Sequence, residues 1–288
     1  MIAVYKRELR AYMNNVYGWL FMSILLLVVG AMMFVFNLGG GLPNIEYTLM
    51  YGQYVLLLMV PILCMRSMAE DRRNKTDMFY LSLPMKTSAV VVGKYLSLLT
   101  VLAIPCLVIC LYPLLLGFFG TVNYASAYVG ILFFFLTGAA LIAVCQFLSA
   151  LTDNLVVAAV LAMLASVLLF FLPYLADIIP DTPLASFIGI VIMAVLAAVI
   201  AFLVTRNLSV TAITGAAFVV PTSVLYIIMG EKFEGLLSDL LVHLSPFMPF
   251  QEVAALGIFS VASLVTLLSY PLFFVFLTVQ AADKKRWS

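Results

Sequence analysis

This sequence contains few charged residues. Only 9% of its 288 residues are charged, whereas 66% are hydrophobic. A soluble domain carries about 25% charged residues, so the composition excludes that class. Repeated apolar stretches instead favour an all-α polytopic membrane protein, because a bilayer span needs roughly 20 mostly apolar residues. Little polar sequence remains for a soluble domain, so residues 1–288 are predicted to form a single transmembrane domain.

Side chains that carry chemistry are also scarce. The chain has one histidine, His243, and four cysteines, all within apolar stretches. Cys106 and Cys110 lie one helical turn apart, but no His or carboxylate near them could complete a metal site. No Ser or Cys has an evident base. We therefore predict a protein that holds no metal and is not itself an enzyme.

A nucleotide site is missing as well. The segment VVVGKYL contains Gly93-Lys94, but a phosphate-binding loop also needs a Gly five residues earlier and a Ser or Thr after the Lys. Ser88 and Tyr95 occupy those positions. Any ATP that drives this protein must therefore bind to another chain. The net charge of +1 gives no reason to expect a nucleic-acid partner.

The apolar runs predict about eight membrane helices. They are Tyr17–Phe36, Leu49–Met65, Ala89–Phe118, Ala127–Ala150, Leu155–Leu175, Leu184–Thr205, Ser209–Gly230 and Leu256–Ala281. The third carries Pro105 and Pro113, so we expect a kink or a break in it. If the pair between Leu184 and Gly230 were re-entrant, the number of spans would be about six. The first run is of full span length without a small-residue cleavage site, which indicates a retained helix rather than a signal peptide.

The basic residues indicate the orientation. If the N-terminus is cytoplasmic, all but one of the 14 Lys and Arg residues lie inside, and only Lys232 lies outside. The positive-inside rule requires such a bias. Both termini are therefore predicted to be cytoplasmic, with six helices or with eight.

Two polar segments are amphipathic. Over residues 1–15 the apolar residues recur at spacings of three and four, which predicts a helix lying on the inner membrane surface; a frayed charged leader is the alternative. These apolar residues are Ile2, Tyr5, Leu9, Tyr12 and Met13, and the basic residues opposite them are Lys6, Arg7 and Arg10. Residues 231–252 predict an external helix at the membrane surface, broken by Pro246 and Pro249.

Most of the charge is concentrated in one short stretch. Seven charged residues lie within the twelve positions from 66 to 77: Arg66, Glu70, Asp71, Arg72, Arg73, Lys75 and Asp77. A lipid-binding patch would be mostly basic, whereas mixed signs suit a specific protein contact. We predict a cytoplasmic loop or helix over residues 66–88 that docks a partner. The alternative is a solvated hairpin that only fixes the topology.

This stretch also carries a family resemblance. EDRRNKTDMFYLSLPMKTSAVVVGKYL resembles the loop after the second helix in type 2 ABC-transporter (ABC-2) permeases, especially their gliding-motility-type branch. The residues that match in order are Glu70-Asp71, Arg72-Arg73, Thr76, Leu83-Pro84 and Gly93-Lys94. The family usually has Gly before the Thr and an acid two residues after it. Here Lys75 and Met78 hold those positions, and Asp77 lies beside the second.

Three further segments are similar to the same family. FLSALTDNLVVAAVL (147–161) resembles its short inner turn between the fourth and fifth helices. LSPFMPFQEVAALGIFS (244–260) looks like its external segment before the last helix, and KKRW (284–287) resembles its basic ending. The apolar pair between Leu184 and Gly230 looks like an insertion into a six-helix core.

The resemblance implies a permease subunit of an ATP-driven exporter in a bacterial plasma membrane. Its implied partners are cytoplasmic ABC ATPase subunits, which hold the ATP and Mg, a second identical or different permease subunit, and membrane lipid. An ATP-independent secondary carrier with a regulatory loop is the alternative, and an embedded enzyme or a scaffold is a third possibility.

The resemblance also implies roles for particular segments. Residues 66–83 would be the coupling helix that docks on the ATPase, and Thr152, Asp153 and Asn154 would make a smaller second contact. Residues 1–15 would be the interface helix that links ATPase motion to the first span. The interface residues implied in this way are Tyr5, Lys6, Arg7, Leu9 and Arg10.

Overall fold

The computed structural model describes residues 1–74, 86–205, 219, 221–223, 226, 230–256 and 259–287. These residues form helices, turns and irregular segments and no β-strand, which confirms the all-α class. In chain order the helices are α1 (Ile2–Met13), α2 (Val16–Met32) with a π-helical continuation (Met33–Gly39), α3 (Glu46–Arg73), α4 (Thr87–Ile109), α5 (Tyr112–Leu116), α6 (Tyr124–Leu151), α7 (Leu155–Ala176), α8 (Pro183–Thr205), a 3₁₀-helix (Gly230–Phe233), α9 (Leu236–His243), α10 (Met248–Leu256) and α11 (Val261–Trp287).

Six helical stretches within the described residues are long and apolar enough to cross a membrane. They are Val16–Gly39, Glu46–Arg73, Thr87–Leu116, Tyr124–Leu151, Leu155–Ala176 and Val261–Lys284. Each coincides with a predicted span. The predicted span 184–205 coincides with α8, of which the shorter apolar stretch Pro183–Val195 is fully described, and the predicted span 209–230 lies mostly outside the described residues.

The predicted break in the third span is present. The α4 helix runs through Pro105 and ends at Ile109, and α5 begins at Tyr112 with Pro113 in its first turn. Proline is tolerated in the first turn of a helix, because the N–H groups of that turn have no carbonyl partner within the helix and the absence of one costs no hydrogen bond.

The chain divides into two compact units, one formed by Met1–Phe170 with Pro246–Ser288 and the other by Phe171–Ser245. The centre of the first unit is α6, which packs on α3, α4, α10 and α11. Small residues let these helices approach closely, since a Cβ at Gly138 would lie 2.6 Å from Leu102 and one at Gly52 would lie 3.0 Å from Phe134.

Uncharged polar groups join helices inside the first unit. The Gln146 side chain of α6 donates to the Val91 carbonyl of α4 at 3.1 Å, and the Thr137 hydroxyl lies 3.3 Å from the Pro246 carbonyl. Both side chains are fully buried. Where no water competes, such bonds favour one packing arrangement of the helices.

The segment 231–252 differs from its prediction as one surface helix. In the second unit, Phe233, Leu237 and Leu241 are buried, and the Leu237 N–H donates to the Ser186 hydroxyl of α8 at 3.4 Å. In the first unit, Pro246 is followed by α10, whose Phe250 is fully buried against Phe134. The apolar pattern was read as lipid contact, but much of it makes contact with protein.

Candidate functional site

Distant parts of the chain meet at one end of the first unit. They are α1, the last turns of α3, the first turns of α4, the α6–α7 turn and the last turns of α11. Met68, Val91 and Ala150 form a small buried cluster here, against which Val279 and Ala282 pack. We call this region the charged end, because the ion pairs described below lie in it.

The α3 helix continues past the predicted membrane boundary at Met65. It ends at Arg73, so Arg66 to Arg73 are its last two turns and not part of a loop. Of the two forms predicted for residues 66–88, a loop or a helix, residues 66–73 adopt the helix. The remaining predicted docking residues, Lys75, Thr76 and Asp77, lie outside the described residues.

Lys94 is the hub of the charged end. It lies in the second turn of α4 and is only 2% exposed. Its ammonium group donates to the Ser67 carbonyl at 2.5 Å and lies 2.7 Å from Asp71 Oδ2 and 3.3 Å from Glu8 Oε1. A buried charge is tolerated only when partners replace its lost hydration, and here two carboxylates and a carbonyl do so.

Glu8 attaches α1 to this hub. Its side chain is buried, although it lies on a helix that was predicted to face the membrane surface. Besides the contact with Lys94, Glu8 pairs with Arg7 at 2.6 Å, and Arg7 Nη2 also lies 3.8 Å from Asp71. The hub therefore joins three helices, since Glu8 comes from α1, Asp71 from α3 and Lys94 from α4.

Close packing at Gly93 makes this contact possible. A Cβ at Gly93 would lie 3.2 Å from the Met1 carbonyl and 3.3 Å from Val4 Cβ. The absent side chain lets the backbone of α1 lie directly against α4, which brings Glu8 within reach of Lys94.

The predicted interface residues lie on several faces of α1. The Tyr5 hydroxyl shares a 3.0 Å hydrogen bond with the Thr100 hydroxyl of α4, and Leu9 is half-buried. Lys6, Arg7 and Arg10 are exposed.

Tyr12 completes the buried face of α1. Its side chain is buried together with Val4 and Glu8. Burial raises the pKa of the Tyr12 phenol well above its ordinary value, so the ring stays neutral beside the ion pairs.

Arg66 is held within α3 and against α2. Its guanidinium makes two hydrogen bonds to Glu70, at 2.5 and 2.7 Å, one turn further along the helix. It also lies over the ring of Tyr17, 4.8 Å from the ring centre. Such a bidentate and stacked arrangement is specific to arginine, so Arg66 and Glu70 fix the last turns of α3 next to α2.

Arg72 joins α3 to the second predicted contact. Its guanidinium donates to the Ala150 carbonyl and lies 3.8 Å from Asp153. Ser149 lies beside this contact, where its hydroxyl accepts from the Met68 and Ala69 N–H groups at 3.2 and 3.1 Å and donates to the Met65 carbonyl. The last turns of α3 and α6 are thereby joined.

The α6–α7 turn has its own fixed geometry. Asn154 Oδ1 accepts from the Val156 N–H at 2.9 Å, and the Asn154 N–H donates to the Thr152 hydroxyl at 3.2 Å. Asn154 therefore acts as the N-cap of α7. Asp153 lies between Thr152 and Asn154, and its side chain is 66% exposed.

A cleft of about 320 Å³ separates α1 from the end of α3. Its lining includes Arg7, Tyr12, Arg66, Glu70 and Asp71. Within the described part of the chain, no group of three or more His, Cys, Asp or Glu side chains is placed to hold a metal ion. The buried ion pairs of the charged end join helices to one another, an arrangement suited to transmitting force between them.

Sequence reasoning missed Glu8, Lys94 and Ser149 as site residues. Lys94 did carry a signal, since it is a single charge between apolar residues and such a charge needs a partner. Glu8 is the only acid in a basic segment. The pairing itself was not visible, because the partners come from segments far apart in the sequence.

Comparison with protein families supports the resemblance to ABC-2 permeases. A family model described as ABC-2 family transporter protein matches residues 35–188, which is more than half of the chain. The match contains the end of α3, Lys94 and the α6–α7 turn, and it does not extend to α1 or to the residues after 188. A search of curated proteins finds no match.

Proposed function

The chain belongs to the ABC-2 transporter family, and on that premise we propose that its charged end receives the motion of a separate ATPase and passes it to the membrane helices. Members of this family are membrane transport subunits that generally work with an ATPase subunit. For this chain we also propose which residues take part and how they act.

The observation that carries the proposal is the hub at Lys94. Its two carboxylate partners belong to the two segments that the resemblance assigns to ATPase coupling, Glu8 in the interface helix and Asp71 in the coupling segment. Breaking such a buried pair by removing one member costs about 3–5 kcal/mol. The segments are therefore joined strongly enough to move together.

The proposed mechanism is mechanical. The ATPase docks on Arg73 and on the residues that follow it, and ATP-driven closure of two ATPase subunits displaces the end of α3. Lys94 transfers that displacement to α4 and to α1, and Arg72 transfers it to the α6–α7 turn. Packed helices with few voids move as rigid bodies, so the displacement is converted into a tilt of the bundle.

The finer assignments are part of the proposal. We place the charged end in the cytoplasm of a bacterial cell, on the strength of the basic residues there. The motifs support the gliding-motility-type branch, export as the direction of transport, and pairing with a second permease subunit. ATP and Mg would be bound by the ATPase.

The test is purification of the tagged protein from its native host in a mild detergent, followed by identification of co-eluting chains. We expect a stoichiometric P-loop ATPase, and its loss from the Arg73→Glu variant. Arg73 is exposed, whereas Asp71 is unsuitable for this purpose because its reversal would place a like charge beside Lys94 and Arg7 and remove a partner of Lys94.

Lys284→Glu is the matched control, since it reverses an exposed charge at the end of α11. It should retain the ATPase. Elution of the wild-type protein alone, even after chemical crosslinking in the membrane, would overturn the proposal and favour an ATP-independent carrier.

A further inference from the structure

A long apolar groove runs along the outer side of α4. Its first part, of about 380 Å³, lies between α1 and α4 and is lined by Ile2, Tyr5 and Leu99. Its second part, of about 300 Å³, lies between α4 and α6 and is lined by Leu107 and Leu132. The two parts adjoin, because Ala103 and Phe135 line both.

The groove is longer than the hydrocarbon of one bilayer leaflet is deep. On α4 it extends from Leu96 to Cys110. At 1.5 Å per helical residue this is roughly 21 Å. The hydrocarbon of one leaflet is about 15 Å deep. Because α4 belongs to a membrane-spanning stretch, the groove has the position and the length to hold an acyl chain of the leaflet at the charged end.

Two exposed basic residues lie on α1, the helix that lines one side of the groove. On α1, Ile2, Tyr5 and Leu9 form a stripe at helical spacing, and Lys6 and Arg10 lie next to it on the exposed side. A helix with an apolar stripe bordered by Lys and Arg places those cations at the level of lipid headgroups.

Lys6 and Arg10 are exposed cations on α1, the helix that lines the first part of the groove, whereas the exposed Arg73, Lys86 and Lys284 lie on other elements. Arg7, Arg66, Arg72 and Lys94 all pair with carboxylates of the protein. Neither Lys6 nor Arg10 forms an ion pair with any residue that the structure describes. A pair of exposed cations on a helix that lines an apolar groove is complementary to an anionic phosphate headgroup with an acyl chain below it.

We propose that this groove binds an anionic phospholipid, with the headgroup at Lys6 and Arg10 and one acyl chain between α1, α4 and α6. Such a lipid would bridge α1 and α4 beside the Tyr5–Thr100 hydrogen bond and so stabilise the packing that the hub requires. The inference depends on the membrane location and not on the ATPase, so it stands or falls separately from the proposed function.

The headgroup contact is tested by native mass spectrometry of the full chain in detergent, titrated with dioleoyl phosphatidylglycerol or dioleoyl phosphatidylcholine. We expect tighter binding of phosphatidylglycerol. The Lys6→Gln/Arg10→Gln variant should lose affinity for it by about 25-fold, since each basic residue contributes about a fivefold attraction. Lys86→Gln/Lys284→Gln removes the same charge from exposed sites elsewhere and should bind like the wild type.

The acyl contact is tested by filling the groove. Ala103→Phe should weaken both lipids without changing their ratio, whereas Leu164→Phe, at an exposed position of α7, should change neither. Equal binding of the two lipids by the wild type, or an unaffected Ala103→Phe variant, would overturn the proposal. If Ala103→Phe instead shifts the oligomeric state and leaves lipid binding unchanged, the groove is an interface with a second copy and the proposal is wrong.

Discussion

At the scale of single residues, Lys94 shows how a charge can be held inside an apolar bundle. Its ammonium group is surrounded by Glu8, Asp71 and the Ser67 carbonyl. Two carboxylates against one ammonium would leave an excess negative charge, and Arg7 lies within 3.8 Å of Asp71 and 2.6 Å of Glu8. The four side chains together are neutral. This balance makes each member sensitive to the loss of another.

Replacement of Lys94 with Met tests this dependence. The variant keeps the length of the side chain but leaves the Glu8 and Asp71 carboxylates without their buried partner. We expect a loss of about 3–5 kcal/mol in the free energy of unfolding, measured by thermal denaturation in detergent. Lys86→Met, at the exposed N-cap of α4, should change it by less than about 0.5 kcal/mol.

A triple variant shows whether the stability lost in Lys94→Met is due to the unpaired charges or to lost packing. Adding Glu8→Gln and Asp71→Asn to Lys94→Met removes the unpaired carboxylates and should recover much of the lost stability. A melting temperature for Lys94→Met equal to that of the wild type would contradict the hub.

The close packing of α1 on α4 at Gly93 gives a separate, steric prediction. Gly93→Leu should force α1 away from α4, because even a Cβ would come within 3.3 Å of Val4 and the Met1 carbonyl. Hydrogen–deuterium exchange of the α1 amides should become faster. Gly120→Leu is the control, since a Cβ there has no neighbour within 4 Å. Unchanged exchange in Gly93→Leu would show that α1 does not depend on this contact.

At the scale of helices, α3 is the element that links the two ends of the first unit. It is continuous from Glu46 to Arg73, so a displacement at Arg73 acts directly on the membrane span. Arg66 packs its end against Tyr17 of α2, and Ser149 fixes it beside α6.

Ser149→Ala tests the contact between α3 and α6. The hydroxyl is fully buried and bonds to the Met65, Met68 and Ala69 backbone groups. Its removal should cost about 1–3 kcal/mol of stability, because the freed polar groups have no water to replace it. Ser269→Ala, on an exposed part of α11, should cost less than about 0.5 kcal/mol. Equal melting temperatures for the two variants would refute the contact.

The helices that the sequence predicted well are the long apolar ones, whether exposed like α7 or buried like α6. Such helices need long apolar runs, so composition alone finds them. The end of α3 was harder, because the charged residues after Met65 were taken to end the span, although charges continue a helix readily. The burial of Phe250 was missed because a helix facing lipid and a helix facing protein have the same apolar pattern.

At the scale of the whole molecule, the charged end is built from segments that lie far apart in the sequence. This separation limits how much of the site the sequence alone could predict. The resemblance implied contacts at residues 66–83 and at Thr152, Asp153 and Asn154, and the structure brings Arg72 and Asp153 to 3.8 Å. The Glu8–Asp71–Lys94 grouping required the packing of α1 against α4. No periodicity within one segment carries that information.

The proposed placement of the charged end in the cytoplasm predicts a labelling pattern in intact cells. In a variant without native cysteines, Lys6→Cys and Lys284→Cys should react with a membrane-impermeant maleimide only after permeabilisation. Phe119→Cys, which lies exposed after α5, should react in intact cells. Labelling of Lys6→Cys and Lys284→Cys in intact cells would reverse the proposed orientation, and labelling of only one would contradict an even number of spans.

The central claim is that the end of α3 docks an ATPase, and photo-crosslinking in native membranes tests it most directly. A photoreactive amino acid in place of Arg73 should crosslink to a P-loop ATPase, identified by mass spectrometry, whereas the same residue in place of Phe119 should not. Absence of an ATPase adduct at position 73, or equal adducts at both positions, would contradict the account.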